Sequence, residues 1–538
     1  MFAGSMQSWP LTVPSLLEHG ARWHGEREIV SRRGDGTFAR VTYAELRRRA
    51  LRLSRALLRH GIEPGDRVAS LAMNSADHIC VSYGVSGSGA VFHTLNPRLP
   101  LGQLAWIIRH AEDRMIFADG EMAELLGRLS REEGVELPVV YLSRPVGDGP
   151  AGVTIEDFVK DVADSESWAA LDENAPAGLC YTSGTTGDPK GVLYTHRSNV
   201  LHTLIVLQPD IFGLSVRDVI LPIVPMYHAN GWGLTYAAPA VGAKLVMPGS
   251  ALDGASLAAL MAQEKVTFAA GVPTVWAGVL EHLRAHDLRL PHLRLAVVGG
   301  AALSPRLLRL FDELQIPMIH AWGMTELSPV GGACVMTPET DDLPADARAA
   351  LRLKQGRVPY GIDMRIVGED KRPLPHDGMA VGSLQMRGPA VVRRYFRHEA
   401  DSLDEDGFFE TGDVATIDRH GFMQIVDRAK DIIKSGGEWI SSIALENAAL
   451  AHSAVAMAAA VGMSDAKWGE RPLLFVVPAA GGTCDAAGLR QHLERQVPKW
   501  WLPDRIEIVD ALPLGATGKV DKKALRAKLA ALTVASDQ

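Results

Sequence analysis

The sequence predicts an α/β fold with a large N-terminal domain of layered, mostly parallel sheets flanked by helices, and a small α+β C-terminal domain. Three observations predict it. The 538 residues exceed what one hydrophobic core usually organises. Apolar runs alternate with amphipathic segments from about residue 90 to residue 395. Beyond residue 430 the pattern becomes more compact. We therefore predict domains at residues 1–429 and 430–538.

Local signals place individual elements of the large domain. Residues 42–45 have the spacing of a helix-capping box, and the helical repeat after them ends at Gly61. Residues 67–71 follow as a strand. A second strand at residues 295–298 leads into a helix that begins at Ser304 and runs to about Leu314.

Further strands are predicted on both sides of the boundary. Residues 414–418 and 423–426 have strand patterns just before it. Residues 473–477 and 505–509 have them within the C-terminal domain. A charged run at residues 427–431 separates the two regions.

Composition and charge exclude several classes of protein. The net charge of -8 gives no basic field that would attract nucleic acid. Four scattered cysteines, at positions 80, 180, 334 and 484, lack the spacing of a zinc site or a disulfide framework, which favours a reducing compartment. No signal-like segment opens the chain, and its longest apolar run, residues 454–463, is too short to span a bilayer. We expect a cytoplasmic protein.

The strongest motif is the run Tyr-Thr-Ser-Gly-Thr-Thr-Gly-Asp-Pro-Lys-Gly at residues 181–191. Its glycines can expose backbone N–H groups, its hydroxyls add donors, and Lys190 adds a positive charge, all of which suit a polyphosphate. The spacing differs from that of a Walker loop. A glycine-rich turn between two strands is the alternative interpretation. The candidate phosphate ligands are Thr182, Ser183, Gly184, Thr185, Thr186, Gly187 and Lys190.

With this motif the chain resembles the adenylate-forming superfamily, which contains acyl-CoA synthetases, luciferases of the firefly type and adenylation domains of peptide synthetases. Its other signatures follow in order over nearly the whole chain. The resemblance implies ATP and Mg²⁺ at one site, coenzyme A as a second substrate, and a mobile C-terminal domain.

The resemblance implies a nucleotide site in the large domain. Residues 322–326 match the family's aromatic-Gly-x-Thr-Glu motif, in which Thr325 would bond the α-phosphate and Glu326 would hold Mg²⁺. Asp413 matches the ribose contact, and Arg428 a second contact to ribose and phosphate. The remaining candidates, which would line the adenine slot, are Gly300, Ala301, Ala302, Ala321, Trp322, Gly323 and Met324.

Lys519 matches the family's catalytic lysine, whose ammonium stabilises the charge that develops on the α-phosphate and the leaving pyrophosphate. Relatives commonly carry Arg-Thr before this motif, where this chain has Leu514 and Gly515, so the resemblance implies no supporting arginine at these positions. Acetylation of Lys519 would remove its charge.

The resemblance also implies a second reaction after a domain rotation. Lys430 matches the hinge residue about which the small domain turns. The segment that would then face coenzyme A consists of Lys434, Ser435, Gly436, Gly437, Glu438 and Trp439. A β-turn is the alternative interpretation of this segment.

The acid itself is predicted from the segment around His228, which would orient the carboxylate or gate the pocket. A packed core histidine is the alternative. No carboxylate lies between Met226 and Lys244 to pair an α-ammonium group, which disfavours amino acids. Apolar or small residues predict a modest acyl pocket lined by Trp232, Gly300, Gly323, Pro329 and Val330.

These segments look most like those of bacterial medium-chain fatty-acid and methylthiopropionate CoA ligases. We therefore expect an acyl-CoA synthetase for short- to medium-chain acids. The alternatives are an aromatic-acid CoA ligase, an acyl-AMP ligase that serves a carrier protein, a luciferase-like oxidase and a non-catalytic nucleotide-binding regulator. The expected partners are the acid, ATP and coenzyme A, with a homodimer left open.

Overall fold

The computed structural model describes residues 5–164, 167–182, 188–436, 438–479, 484–514, 520–527 and 529. Within them the chain forms four β-sheets, three of them before residue 429 and one after residue 432. No helix in this described part of the chain is both long enough and apolar enough to cross a membrane. All four cysteines are free thiols.

The strands follow one another along the chain as β1 (Glu28–Arg32), β2 (Phe38–Thr42), β3 (Arg67–Leu71), β4 (Val91–Thr94), β5 (Asp113–Ala118), β6 (Val139–Tyr141), β7 (Val153–Thr154), β8 (Pro176–Tyr181), β9 (Gly191–Thr195), β10 (Val219–Pro222), β11 (Lys244–Met247), β12 (Phe268–Gly271), β13 (Leu295–Gly299), β14 (Met318–Gly323), β15 (Val330–Ala333), β16 (Asp363–Val367), β17 (Gly382–Arg387), β18 (Phe409–Ile417), β19 (Met423–Arg428), β20 (Ile433–Ser435), β21 (Glu438–Ile440), β22 (Val455–Asp465), β23 (Gly469–Pro478) and β24 (Arg505–Ile508).

The helical segments are α1 (Val13–Trp23), α2 (Tyr43–Arg59), α3 (Ala76–Ser88), α4 (Leu101–Ala111), α5 (Ala123–Glu133), α6 (Ile155–Val159), α7 (His196–Val206), α8 (Ala229–Trp232), α9 (Leu234–Val241), α10 (Gly254–Gln263), α11 (Pro273–Ala285), α12 (Pro305–Glu313), α13 (Pro338–Asp341), α14 (Ala345–Arg352), α15 (Ser442–Leu450) and α16 (Ala486–Leu493). Single 3₁₀ turns lie at Gly120–Met122, Thr325–Leu327 and Lys499–Trp501.

Two large sheets form the main body of the N-terminal domain. The first has the strand order β15-β14-β13-β12-β10-β11-β1-β2 and is parallel except at its two outer strands. The second has the order β7-β6-β5-β3-β4-β8-β9, in which only β9 is antiparallel. Its register pairs His93 with Leu179 and Leu179 with Leu193. The predicted α/β class is thereby confirmed.

The third sheet departs from the expectation of parallel strands. Strands β16 to β19 pair antiparallel in sequence order. The connection between β18 and β19 is only five residues long, 418–422, and a connection of that length cannot cross over to form a parallel pair. The two strands predicted at residues 414–418 and 423–426 are present as β18 and β19, and the sequence analysis made no prediction of their direction.

The predicted helix starts are present. The Thr42 hydroxyl accepts from the Glu45 N–H at α2, and the Ser304 hydroxyl accepts from the Leu307 N–H at α12. Gly61, after α2, has φ +78°. The structure adds an earlier helix, α1, which the sequence analysis did not predict.

One buried core is shared by both large sheets. It joins Ile29 of the first sheet and Phe92 of the second with Leu53, Tyr83 and Tyr236 from helices α2, α3 and α9. Each such side chain contributes about 1.5–3 kcal/mol by leaving water. This shared core holds the two sheets in a defined relation, on which the site below depends.

The C-terminal domain has a sheet and cores of its own. Its strand order is β21-β20-β23-β22, with β24 parallel to β23. Leu445, Leu474 and Leu489 are fully buried in one of its cores. The strands predicted at 473–477 and 505–509 correspond to β23 and β24.

Candidate active site

The predicted phosphate motif lies between β8 and β9, which pair antiparallel, as in the alternative interpretation of a turn between two strands; the described ends of the motif, referred to below as the Lys190 hairpin, are Tyr181, Thr182 and residues 188–191. The Thr182 N–H donates to the Lys190 carbonyl at 2.9 Å, and the Lys190 N–H donates to Thr182 Oγ1 at 3.3 Å. These bonds close the base of the hairpin. Five of its predicted ligands lie outside the described residues: Ser183, Gly184, Thr185, Thr186 and Gly187.

Glu326 lies in a tight turn after β14. A Cβ at Gly323 would stand 2.0 Å from the Pro329 carbonyl oxygen, so only glycine allows this return of the chain. The Met324 N–H donates to that same oxygen at 2.9 Å. Tyr194 Oη donates to the Thr325 carbonyl at 2.7 Å, which ties the turn to strand β9.

The segment of residues 390–396 connects this turn with the phosphate hairpin. The Val392 N–H donates to the Glu326 carbonyl at 2.7 Å, and the Phe396 N–H donates to the Gly191 carbonyl at 2.8 Å. Tyr395 Oη donates to Glu326 Oε1 at 2.8 Å, and Lys190 Nζ lies 4.8 Å from the centre of the Tyr395 ring. Glu326 and Lys190, the acidic and basic groups predicted to bind the nucleotide, thus both contact Tyr395, one at its hydroxyl and the other at its ring.

A magnesium ion that arrives with a nucleotide suits this arrangement. Among the described residues, no group of three or more His, Cys, Asp or Glu side chains is placed to hold a metal ion. Mg²⁺ commonly keeps waters and phosphate oxygens as ligands and takes only one or two protein carboxylates. Glu326, buried and oriented by Tyr395, fits that role.

The predicted adenine slot lies at the carboxyl ends of β13 and β14. Gly300 has φ +82°, and Gly300, Ala301 and Ala302 are exposed where a flat base could approach. Ala321 pairs with Gly299 in the register. Trp322 is only 9% exposed and packs in a core with other apolar side chains, so its stacking on adenine stays a prediction.

His320, which the sequence analysis missed, contacts the backbone of this predicted adenine slot. The imidazole is 2% exposed, with Nε2 3.3 Å from the Ala301 carbonyl and Nδ1 3.0 Å from the Leu353 and Lys354 carbonyls. Burial lowers the pKa of His320, so the neutral ring donates to only one side at a time. It connects the strand end to the loop after α14.

Asp413 and Arg428, predicted ribose and phosphate contacts, face each other across β18 and β19. Arg428 Nε lies 2.7 Å from Asp413 Oδ1, and the Asp413 side chain is 1% exposed. Thr411 supports the turn, since its hydroxyl accepts from the Asp413 N–H at 3.1 Å. The two predicted residues are thus brought together.

The predicted acid-binding segment is an unusual left-handed turn. Ala229, Asn230, Gly231, Trp232 and Gly233 have φ values of 36°, 46°, 67°, 58° and 72°. Left-handed conformations are unfavourable for residues with a Cβ, and such strain often marks functional sites. The partly buried ring of His228 packs edge-on against Tyr227, with centroids 4.9 Å apart.

Asn74 holds the approach to this turn and was also missed. Its Nδ2 donates to the carbonyls of Pro222 and Val224 at 2.8 and 2.9 Å, and its Oδ1 accepts from the Met226 N–H at 2.8 Å. Asn74 follows β3 of the second sheet, whereas Pro222 ends β10 of the first. One buried amide thereby positions the His228 segment between the two sheets.

Of the residues predicted for the acyl pocket, Gly300 lies against the Trp232 indole, as does its neighbour Gly299. A Cβ at Gly299 would lie 2.9 Å from the indole, and one at Gly300 would lie 3.7 Å from it. His202 Nε2 accepts from the Val330 N–H at 3.1 Å, and the His202 ring lies against Gly233. Burial lowers the pKa of His202 to about 3, so it remains a neutral acceptor.

The segment predicted to face coenzyme A is a β-hairpin, as in the alternative interpretation of a turn. Lys434 pairs with Trp439 and Ser435 with Glu438, while Gly437 lies outside the described residues. Gly436 has φ +62°, and its N–H donates to the Trp468 carbonyl at 2.7 Å. The described contacts of this hairpin run to its own sheet, and its role in binding stays a prediction.

The predicted hinge residue Lys430 lies directly after β19. Its carbonyl accepts from Arg526 at 3.2 Å, and Arg526 also pairs with Asp431. Burial lowers the pKa of Lys430. Lys519 lies outside the described residues.

Comparison with known proteins shows the family of the chain. Residues 17–396 match the AMP-binding enzyme family, and residues 444–519 match the AMP-binding enzyme C-terminal domain. The 3-methylmercaptopropionyl-CoA ligase of Ruegeria lacuscaerulensis is 44% identical, with 97% of this chain and 98% of the relative covered. The medium-chain-fatty-acid–CoA ligase of Ectopseudomonas oleovorans is also 44% identical, with coverage of 98% and 97%.

A solved structure agrees with the fold. ATP-bound MatB from Rhodopseudomonas palustris superimposes with a TM-score of 0.82 at 25% identity, with coverage of 97% of this chain and 99% of that protein. The predicted resemblance is confirmed, and the chain belongs to the family of AMP-binding enzymes.

Proposed function

We propose that this protein is an ATP-dependent acyl-CoA synthetase that acts on short- to medium-chain carboxylic acids, including methylthio-substituted ones. Its relatives that are 44% identical over nearly the full length are CoA ligases for such acids. The observation that carries the proposal is the attachment of the Glu326 turn and Lys190 to one segment, residues 390–396, through Tyr395. We place this activity in the cytoplasm, where reduced thiols and coenzyme A occur together.

In the first reaction, a carboxylate oxygen of the acid attacks the α-phosphorus of ATP, the bond to the β-phosphate breaks, and acyl-AMP and pyrophosphate form. The proposed role of the Lys190 hairpin is to hold the phosphates. Mg²⁺ bound at Glu326 would neutralise phosphate charge. Asp413 would orient the ribose, and Lys519 would stabilise the charge of the transition state.

In the second reaction, the thiol of coenzyme A loses its proton and attacks the acyl carbon, and AMP leaves. We propose that the C-terminal domain turns about Lys430 between the two reactions, so that residues 434–439 replace Lys519 at the acyl-AMP. Trp232 and Val330 would enclose the acyl chain. An acyl site bounded by the indole that packs on Gly299 and Gly300 would suit a short chain.

The decisive experiment measures CoA-dependent formation of AMP and acyl-CoA with ATP and Mg²⁺ over straight-chain, methylthio-substituted, branched and aromatic acids. We expect a maximum at one short or medium chain length, and no activity in Lys519→Ala. Release of pyrophosphate without acyl-CoA would identify an acyl-AMP ligase instead. A preference for aromatic acids would refute the proposed substrate class.

Replacing Trp232 with alanine is expected to move the chain-length optimum to longer acids. It should also lower kcat/KM for the best short acid by roughly tenfold, because the lost contact is worth about one to two methylene groups. The measurement is kcat/KM over acids of increasing length. Trp23→Ala, at a surface position that is 68% exposed, is the matched control. An unchanged length profile in Trp232→Ala would remove the indole from the acyl pocket.

A further inference from the structure

Tyr395 contacts both the acidic and the basic group of the site, Glu326 and Lys190. Its hydroxyl donates to Glu326 Oε1 at 2.8 Å, and its ring face lies 4.8 Å from Lys190 Nζ. The ring is partly buried, at the point where the segment of residues 390–396 crosses the edge strand β9. No family motif named above includes this tyrosine.

The backbone around Tyr395 is anchored on both sides. The Val392 N–H bonds the Glu326 carbonyl at 2.7 Å, and the Phe396 N–H bonds the Gly191 carbonyl at 2.8 Å. Ser328 Oγ donates to the Ala390 carbonyl at 2.8 Å. The turn and the hairpin are therefore attached to one short segment, and the phenol has little freedom to turn away.

The phenol remains a hydrogen-bond donor under ordinary conditions. A phenol has an ordinary pKa of about 10 and is therefore protonated at neutral pH. A protonated hydroxyl that donates to a carboxylate makes a charge-assisted bond, which is stronger than a neutral one. With Oε1 engaged in this way, the rotamer of Glu326 is restricted, and among the described residues no hydrogen bond is made to its second oxygen, Oε2.

We propose that Tyr395 is a positioning residue of the adenylation reaction, which orients Glu326 toward the magnesium of Mg-ATP with its hydroxyl and holds Lys190 near the phosphates with its ring. The inference rests on the proposed function, in which Glu326 binds the metal and Lys190 the phosphates. The two parts of the side chain have separable effects, because a hydroxyl can be removed without the ring.

Equilibrium binding of a fluorescent ATP analogue to the full chain, titrated with Mg²⁺ or measured in EDTA, tests this inference without turnover. Tyr395→Phe is expected to need roughly tenfold more free Mg²⁺ for half-maximal enhancement of binding, with unchanged affinity in EDTA. Tyr395→Leu should in addition weaken binding in EDTA by about threefold, since the contact with the Lys190 ammonium is lost.

Tyr141→Phe is the matched control, because the Tyr141 hydroxyl bonds the Pro150 carbonyl at 3.0 Å in another part of the domain. Thermal melting of each variant verifies its folding. A Mg²⁺ midpoint in Tyr395→Phe equal to that of the wild type would overturn the role of the hydroxyl. If the wild type shows no Mg²⁺-dependent binding, the proposed function fails, and this inference fails with it.

Discussion

Replacing Lys522 with methionine is expected to lower the free energy of unfolding of the C-terminal domain by about 3–5 kcal/mol at pH 8. Lys522 Nζ lies 2.7 Å from Glu446 Oε1 and donates to Ser442 Oγ at 2.6 Å. The Ser442 N–H donates to Asp427 Oδ2 at 2.6 Å. One ammonium therefore stabilises the partly buried Glu446 directly and the buried Asp427 through Ser442, and its loss removes that stabilisation from both carboxylates.

The decrease in the free energy of unfolding caused by Lys522→Met should be smaller at low pH. Burial raises the pKa of both Asp427 and Glu446, and Lys522 opposes that rise. A carboxyl whose folded pKa is above its unfolded value contributes stability below the unfolded pKa, and that contribution disappears as pH rises through the folded pKa. Without Lys522 the folded pKa values rise further, so the variant should lose stability more steeply between pH 5.5 and pH 8.

Calorimetric unfolding at pH 5.5 and pH 8 measures both effects. Lys523→Met, at the exposed neighbouring position, is the matched control and should change stability by less than about 0.5 kcal/mol. Equal stability of Lys522→Met and Lys523→Met would show that the buried carboxylates do not depend on this lysine. The hydrogen bonds and the ion pair around Lys522 join Asp427 in β19 to Ser442 and Glu446 in α15. Because β19 and α15 lie on either side of Lys430 in the sequence, a rotation of the domain about Lys430 would affect these bonds.

Replacing Glu326 with glutamine is expected to slow acid-dependent ATP–pyrophosphate exchange by about 10²–10³-fold. The amide keeps the size of the side chain but loses the negative charge that a Mg²⁺ ion requires. ATP–pyrophosphate exchange measures the formation of acyl-AMP separately from the transfer to coenzyme A. Formation of acyl-CoA from supplied acyl-AMP should change less than about threefold, because no phosphoryl charge develops in that step.

Glu313→Gln, on the exposed end of α12, is the matched control for the loss of one negative charge. Exchange in Glu326→Gln within threefold of the wild type would remove Glu326 from the metal site. A parallel loss in both half-reactions would indicate a general distortion of the turn rather than a role in the first step.

The sequence predicted correctly the helix caps and strands that are determined by interactions between neighbouring residues. The Thr42 and Ser304 caps and the strands β3 and β13 all depend on residues within a few positions of one another. Their chemistry can be read from type and spacing alone. The order of the motifs was enough to predict the family, which the comparisons confirm.

The supporting residues of the site could not be predicted in this way. Asn74 bonds chain segments about 150 positions away, His202 bonds Val330 128 positions away, and Tyr395 bonds Glu326 69 positions away. A buried asparagine, histidine or tyrosine has no periodic signal that names its partner. The antiparallel pairing of the third sheet was missed for a related reason, since strand patterns do not specify strand direction.

The sequence by itself therefore determined the α/β class, the main caps and strands, and the identity of the groups available for chemistry. Only the tertiary structure decided that Glu326, Tyr395 and Lys190 lie side by side, and that Trp232 closes on Gly299 and Gly300. The physical reason is the separation along the sequence of the residues that interact. Helix caps and strand patterns arise from neighbouring residues, whereas the placement of a catalytic group depends on how distant segments pack around one core.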